Sequence, residues 1–166
     1  IDDIYGNRDW QKQVPVKRLT IGINYGEKYG DYNEDNYVNR LIAGVLPDGA
    51  GIVIFEPDLS TGTEIQFMLR DSNRMIESAA NNTVELMARI KADGKRPVFG
   101  LYIDCAGRAA SFSDTLTEEA SEVSKVFRGA NVPLLGFYSG VEIAPLLGKS
   151  RGLDWTGVLL VFAEEI

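Results

Sequence analysis

The segment LYIDCAGRAASF, residues 101–112, carries the only cysteine of the chain, Cys105, with Arg108 three positions later. An apolar run leads into the pair, and Ala106, Gly107, Ala109 and Ala110 leave room around the arginine. A guanidinium in such a place can hold a carboxylate through two parallel hydrogen bonds. It can also favour a thiolate and so lower a thiol pKa. Gly107 would let a backbone or a ligand approach closely. The plainer reading is a buried, inert cysteine ending a core strand, beside an arginine paired with an internal acid. A second cluster lies in GFYSGVEIAP, residues 136–145, where Tyr138, Ser139, Gly140 and Glu142 bring together a phenol, a hydroxyl, a flexible backbone position and a carboxylate. Its plainer reading is a strand bulge followed by a surface glutamate.

Composition narrows the chemistry. The chain contains no histidine. That removes Ser-His-Asp and Cys-His catalysis, and with them the commonest zinc and iron ligands. A metal site would need carboxylates and carbonyls, and no D-x-D-x-D-G run suggests one; neither a metal nor a cofactor is expected. The net charge is −7 and the basic residues are scattered among acids, so neither nucleic acid nor an anionic membrane is an expected partner. The longest apolar runs, such as GVLLVFA, fall well short of the ~20 residues of a spanning helix. No basic segment followed by an apolar one opens the chain, and a single cysteine suits a reducing compartment, so the expected location is cytoplasmic. The sequon NNT at 81–83 falls inside a predicted helix and is discounted.

The elements that must position these residues are legible as patterns. Residues 1–18 read as an irregular lead-in interrupted by Pro15, and residues 19–166 as one domain. LTIGIN at 19–24 reads as a strand, and YVNRLIAGV, PDG and GIVIF over 37–55 as a hairpin-like pair. Tyr25, Tyr29, Tyr32 and Tyr37 enrich the intervening loop and are expected to cover the sheet edge. EIQFMLRD at 64–71 alternates as a strand. Asp71 or Ser72 then caps a long helix whose apolar stripe runs from Met75 to Ile90 and which stops at Gly94. PVFGLYIDC at 97–105 is a nearly continuous apolar strand, expected to be covered on both faces. A second helix starts at Thr117, with Glu118 and Glu119 favouring the positive end of its dipole. Residues 132–148 read as a strand, a glycine-containing break and further extended chain, and 155–165 as the final strand. The expected fold class is α+β, a largely antiparallel or mixed sheet with two main helices packed on it. Cys105 and Glu142 are expected on adjacent strands, and the Arg108 guanidinium is expected to face a concavity shared with Glu142 or Tyr138.

Four segments in this order, GVLPDGAGIVIF, GTEIQFMLRD, LYIDCAGRAASF and VPLLGFYSGVEIAP, make the chain over roughly residues 19–162 resemble the C-terminal part of the FIST sensory domain. The family pattern of Cys-x-Gly-Arg and a later Gly-Phe-x-x-x-x-Glu-Ile matches Cys105, Gly107 and Arg108, and Gly136, Phe137, Glu142 and Ile143. Val141 stands where a second glycine commonly precedes the glutamate, and the N-terminal part of the family's module is not matched. The resemblance implies a small-molecule-binding input module of a signal-transduction protein, acting on an output domain, with an amino acid or related metabolite as ligand. An arginine and a glutamate on neighbouring strand ends could take the carboxylate and ammonium of such a ligand, with Tyr138 and Ser139 orienting it. The expected ligand-binding residues are therefore Cys105, Gly107, Arg108, Tyr138, Ser139, Gly140 and Glu142, with no catalysis. Two readings compete. One is an enzyme with Cys105 as nucleophile and Glu142, Asp104 or a lysine as base. The other is a protein-interaction module without a ligand.

Overall fold

The structure is a computed structural model that describes residues 1–166. Its class is α+β, with sheets of antiparallel and mixed pairing. The chain divides into two compact units, one of residues 1–70 and 145–155, the other of residues 71–144 and 156–166.

The first unit opens with a short helix α1 (Asp2–Tyr5) and a 3-10 turn (Asp9–Lys12). Four strands follow: β1 (Leu19–Asn24), β2 (Tyr37–Val45), β3 (Ile52–Ile54) and β4 (Ile65–Leu69). They form an antiparallel sheet in the order β3-β2-β1-β4. The β2–β3 pairing is the predicted hairpin, with a register irregularity between Ile42 and Gly44. β1 is buried almost throughout because strands cover both its edges, and Leu19, Ile21, Ile42, Trp10 and Val16 form the core. Trp10 and Val16 thus bring part of the lead-in segment into the sheet's packing, a role its polar composition does not announce. Of the loop tyrosines, Tyr25 donates to Asp58 at 2.8 Å, Tyr32 packs on the Tyr37 ring, and Tyr29 and Tyr32 are exposed. Residues 145–155 contain the end of β7 (Glu142–Leu146) and β8 (Lys149–Leu153). These strands pair across Leu147 and Gly148, both at positive φ (50° and 75°). Two successive left-handed residues are what a tight hairpin demands, and Leu147 takes that backbone at a steric cost that glycine avoids. The sequence reading of further extended chain missed this second strand for that reason.

The second unit pairs three strands with two long helices. α2 (Ser72–Ala92) starts at Asp71, whose carboxylate accepts from the backbone N–H groups of Asn73 and Arg74. That satisfies two of the donors a helix start leaves open. It ends at Gly94, with φ 73°. β5 (Lys95–Cys105) lies between β6 (Leu134–Ser139), parallel to it, and β9 (Val158–Glu165), antiparallel to it. α4 (Glu119–Gly129) connects β5 to β6 after a 3-10 turn (Ala106–Arg108) and a single-turn helix α3 (Ala110–Ser113). It begins two residues later than predicted. Val123 and Phe127 of α4 pack with Tyr102 of β5, joined by Ala79 and Met87 of α2 and by Leu134, Leu159 and Val161 of the sheet. β5 is not covered evenly on both faces as expected: its burial alternates, with Gly100, Tyr102 and Asp104 turned to the helices. Gly100 is required there, since a Cβ would stand 2.3 Å from the Phe127 ring.

Candidate functional site

The strand alternation that turns Tyr102 and Asp104 toward the helices also delivers them to a buried polar cluster. Asp104 and Glu119 are each 2 % exposed. Arg108 reaches back from the turn after β5 and donates to Glu119 from Nε at 2.8 Å and from Nη2 at 2.6 Å, with the Asp104 carboxylate 3.7 Å away. The Tyr102 hydroxyl donates to the other oxygen of Glu119 at 2.6 Å. Glu119 is thus held by charge-assisted contacts on both oxygens, the arrangement that lets a carboxylate survive out of water. Asp104 is less well compensated: its ion pair with Arg108 is the longer one, at 3.7 Å. Burial, reinforced by the negative charge of Glu119 and only partly offset by Arg108, pushes its carboxyl up to about 7. Burial likewise pushes the Tyr102 phenol far above its ordinary range, with Glu119 adding to the effect.

A cavity of about 340 Å³ opens beside this cluster, walled by Arg108, Glu119 and Tyr102, by Asn82 and Thr83 of α2, and by Thr156. Ser78 and Asn82, hydrogen-bonded to each other at 3.1 Å, are exposed on the α2 side. Gly157 also lines the cavity, and a Cβ there would stand 2.3 Å from the Tyr102 hydroxyl oxygen. The volume lies at the lower end of the ~300–1,000 Å³ of small-molecule sites.

The predicted residues distribute unevenly around this centre. Arg108 does face a concavity, but with Tyr102 and Glu119, and its ion-pair partners are Glu119 and Asp104. Cys105 is 9 % exposed and sits opposite Ser139 in the parallel β5–β6 register, as Asp104 sits opposite Tyr138. The Tyr138 hydroxyl donates to Glu118 at 2.6 Å, and Glu118 accepts the N–H of Ala110 at 2.9 Å, so Tyr138 braces the loop that carries Arg108. The Ser113 hydroxyl ties the same loop through the carbonyl of Gly107. Ser139 turns to Val141, donating to its carbonyl at 2.7 Å. Gly140 bends the chain after β6, and Glu142, 1 % exposed, begins β7. Since β7 pairs with β8, the expectation that Cys105 and Glu142 lie on adjacent strands is corrected: the strand beside Cys105 ends at Ser139. The sequence reading missed Glu119, Tyr102, Asn82, Thr83, Thr156 and Gly157. For Glu119 a signal existed. Glu119, Val123 and Phe127 recur at a spacing of four, which places the acid on the apolar stripe and not on the solvent face.

The model of the FIST C domain family matches residues 3–145, most of the chain. The chain belongs to the FIST C family. The uncharacterized protein Rv0628c of Mycobacterium tuberculosis is 26 % identical over 157 residues, covering 93 % of this chain and 39 % of its own length. The uncharacterized protein Mb0898c of Mycobacterium bovis is 25 % identical over 148 residues, 89 % of this chain and 37 % of its own. The chain therefore spans about two fifths of the length of the curated relatives it matches. No solved structure matches. FIST C is a sensory-type domain family, and no helix of this member is long and apolar enough to cross a membrane.

Proposed function

We propose that this FIST C domain is a small-molecule input module that binds an amino-acid-like metabolite without turning it over and passes its occupancy to a signalling output domain in the cytoplasm. The observation that carries the reading is the cavity beside Arg108. It is walled by a guanidinium, a carboxylate, a phenol, an amide and hydroxyls, in the unit that bears two of the family's motifs. The amide and hydroxyls of that lining can orient the polar ends of a zwitterion, against the Arg108–Glu119 pair as a fixed charged wall. Arg108 forms the inner wall, and Ser78 and Asn82 receive the ligand at the mouth. Tyr138 and Gly107 act by holding the Arg108 loop. Cys105, Ser139, Gly140 and Glu142 belong to the frame at the strand ends. Cys105 favours binding over catalysis: the residue is 9 % exposed, and a histidine base is not in the sequence.

The test is a thermal-shift screen of free amino acids and their decarboxylated and deaminated analogues, on the wild type and on Asn82→Leu. Binding to the folded state alone raises the melting temperature, by an amount set by ligand concentration over Kd. A stabilising compound that loses its effect on Asn82→Leu supports the reading. Stabilisation unaffected by Asn82→Leu would move the site elsewhere, and thiol alkylation of Cys105 far faster than that of a free thiol would return the cysteine-enzyme reading.

A further inference from the structure

The face of the second unit's sheet turned away from its helices is apolar over all three strands. Leu101 sits between Leu135 and Leu160, Ile103 beside Phe137, and Phe99 beside Phe162, with the phenyl rings 5.8 Å apart. Leu135, Phe137 and Phe162 are 59 %, 54 % and 53 % exposed. None of these side chains belongs to a core cluster, although the helix-facing residues between them do. An ion pair of Arg96 with Glu164 borders the face at one end. A sheet face left to water is ordinarily polar, and a contiguous apolar one marks an interface.

We propose that this face seats another part of the same, longer polypeptide, a segment with an apolar face of its own. Two observations select that occupant. With strands about 4.8 Å apart and about 3.3 Å per residue, the face measures roughly 15 by 16 Å, so covering it buries about 500 Å² over both partners. That is below the ~1,200 Å² of stable associations between separate chains. It approaches what domains of one chain bury against each other, where a tether supplies effective concentrations of order mM. The relatives supply such a chain, since about three fifths of their length lies outside the match. The inference does not depend on what the cavity binds.

The experiment uses the polypeptide encoded by the complete reading frame, with Cys105→Ala to silence the native thiol. Leu135→Cys reports on the face and Leu116→Cys, fully exposed, is the control. Maleimide labelling of Leu135→Cys at least tenfold slower than of Leu116→Cys, independent of protein concentration, is the expected result. Equal rates overturn the proposal, as does a reading frame with no further segment. Protection that fades on dilution overturns it in favour of a second copy. Phe137→Glu gives an independent reading: in the complete polypeptide it should restore rapid labelling at Leu135→Cys while α-helical circular dichroism is retained. Continued protection in that variant would also count against the proposal.

Discussion

Asp104 and Glu119 are two carboxylates in one buried site that differ in what neutralises them. Glu119 has a guanidinium and a phenol in close contact, whereas the ion pair of Asp104 is longer, at 3.7 Å. With its folded pKa raised to about 7, Asp104 makes the folded protein bind more protons than the unfolded one above the ordinary carboxylate range. Its contribution is complete below about pH 4 and is lost as pH rises through 7. Wild-type stability should therefore fall by about 1.4 kcal/mol more than that of Asp104→Asn between about pH 6 and 8, measured by urea unfolding. Equal pH slopes would show that Asp104 ionises normally. Arg108→Ala should cost ~3–5 kcal/mol, because it strands buried acid, while the paired replacement Arg108→Met with Glu119→Leu should recover much of that loss. A small cost for the single change would mean that the pair is solvated in practice, and would make Arg108 available as a dedicated ligand anchor.

At the level of elements, β5 and α4 form the frame of the site, and Gly100 packs against the Phe127 ring where they meet. Gly100→Ala should destabilise by about 1–3 kcal/mol through overpacking, a penalty that Phe127→Leu should partly relieve. Asp71→Ala should cost about 1 kcal/mol by uncapping α2, read in the same denaturation series. Most elements could be located from the chain alone, because alternation in β1, β2 and β4, the stripe of α2 and its Asp71 and Gly94 boundaries are local signals. The site was less legible. Arg108 stood out by its small neighbours, but Glu119 looked like an ordinary first-turn acid and Asn82 entered only within the discounted sequon. Their convergence depends on α2 and α4 packing on the same three strands, which is long-range information. Glu142 was misplaced for the same reason: the turn at Leu147 and Gly148 sends β7 to β8, and a leucine does not advertise a left-handed turn.

At the scale of the whole molecule, the path of the chain matters more than its order of elements. The first unit is built from residues 1–70 and is completed only by 145–155, after the second unit's two helices have been made. Arg40, 2 % exposed, shows how strongly the first unit depends on that late segment. Its guanidinium binds Asp58 and also donates to the carbonyl of Gly152, while Asp154 accepts the N–H of Leu41. Arg40→Ala should therefore cost about 1–3 kcal/mol, through the Gly152 and Asn39 carbonyls it leaves without this donor. It should also make residues 149–155 exchange backbone hydrogens faster, by mass spectrometry, than β1 does. Uniform exchange across the first unit would refute that local dependence.

Both tryptophans, Trp10 and Trp155, are buried in the first unit, with the Arg70 guanidinium 3.7 Å from the Trp155 ring centre. The cavity's unit holds two tyrosines, Tyr102 and Tyr138, and no tryptophan. Intrinsic fluorescence and helical circular dichroism thus report on different halves of this protein. Trp155 directly precedes Thr156 of the cavity wall, so a ligand that fills the cavity is read by the helical melting curve throughout its unit and by fluorescence only through that one junction.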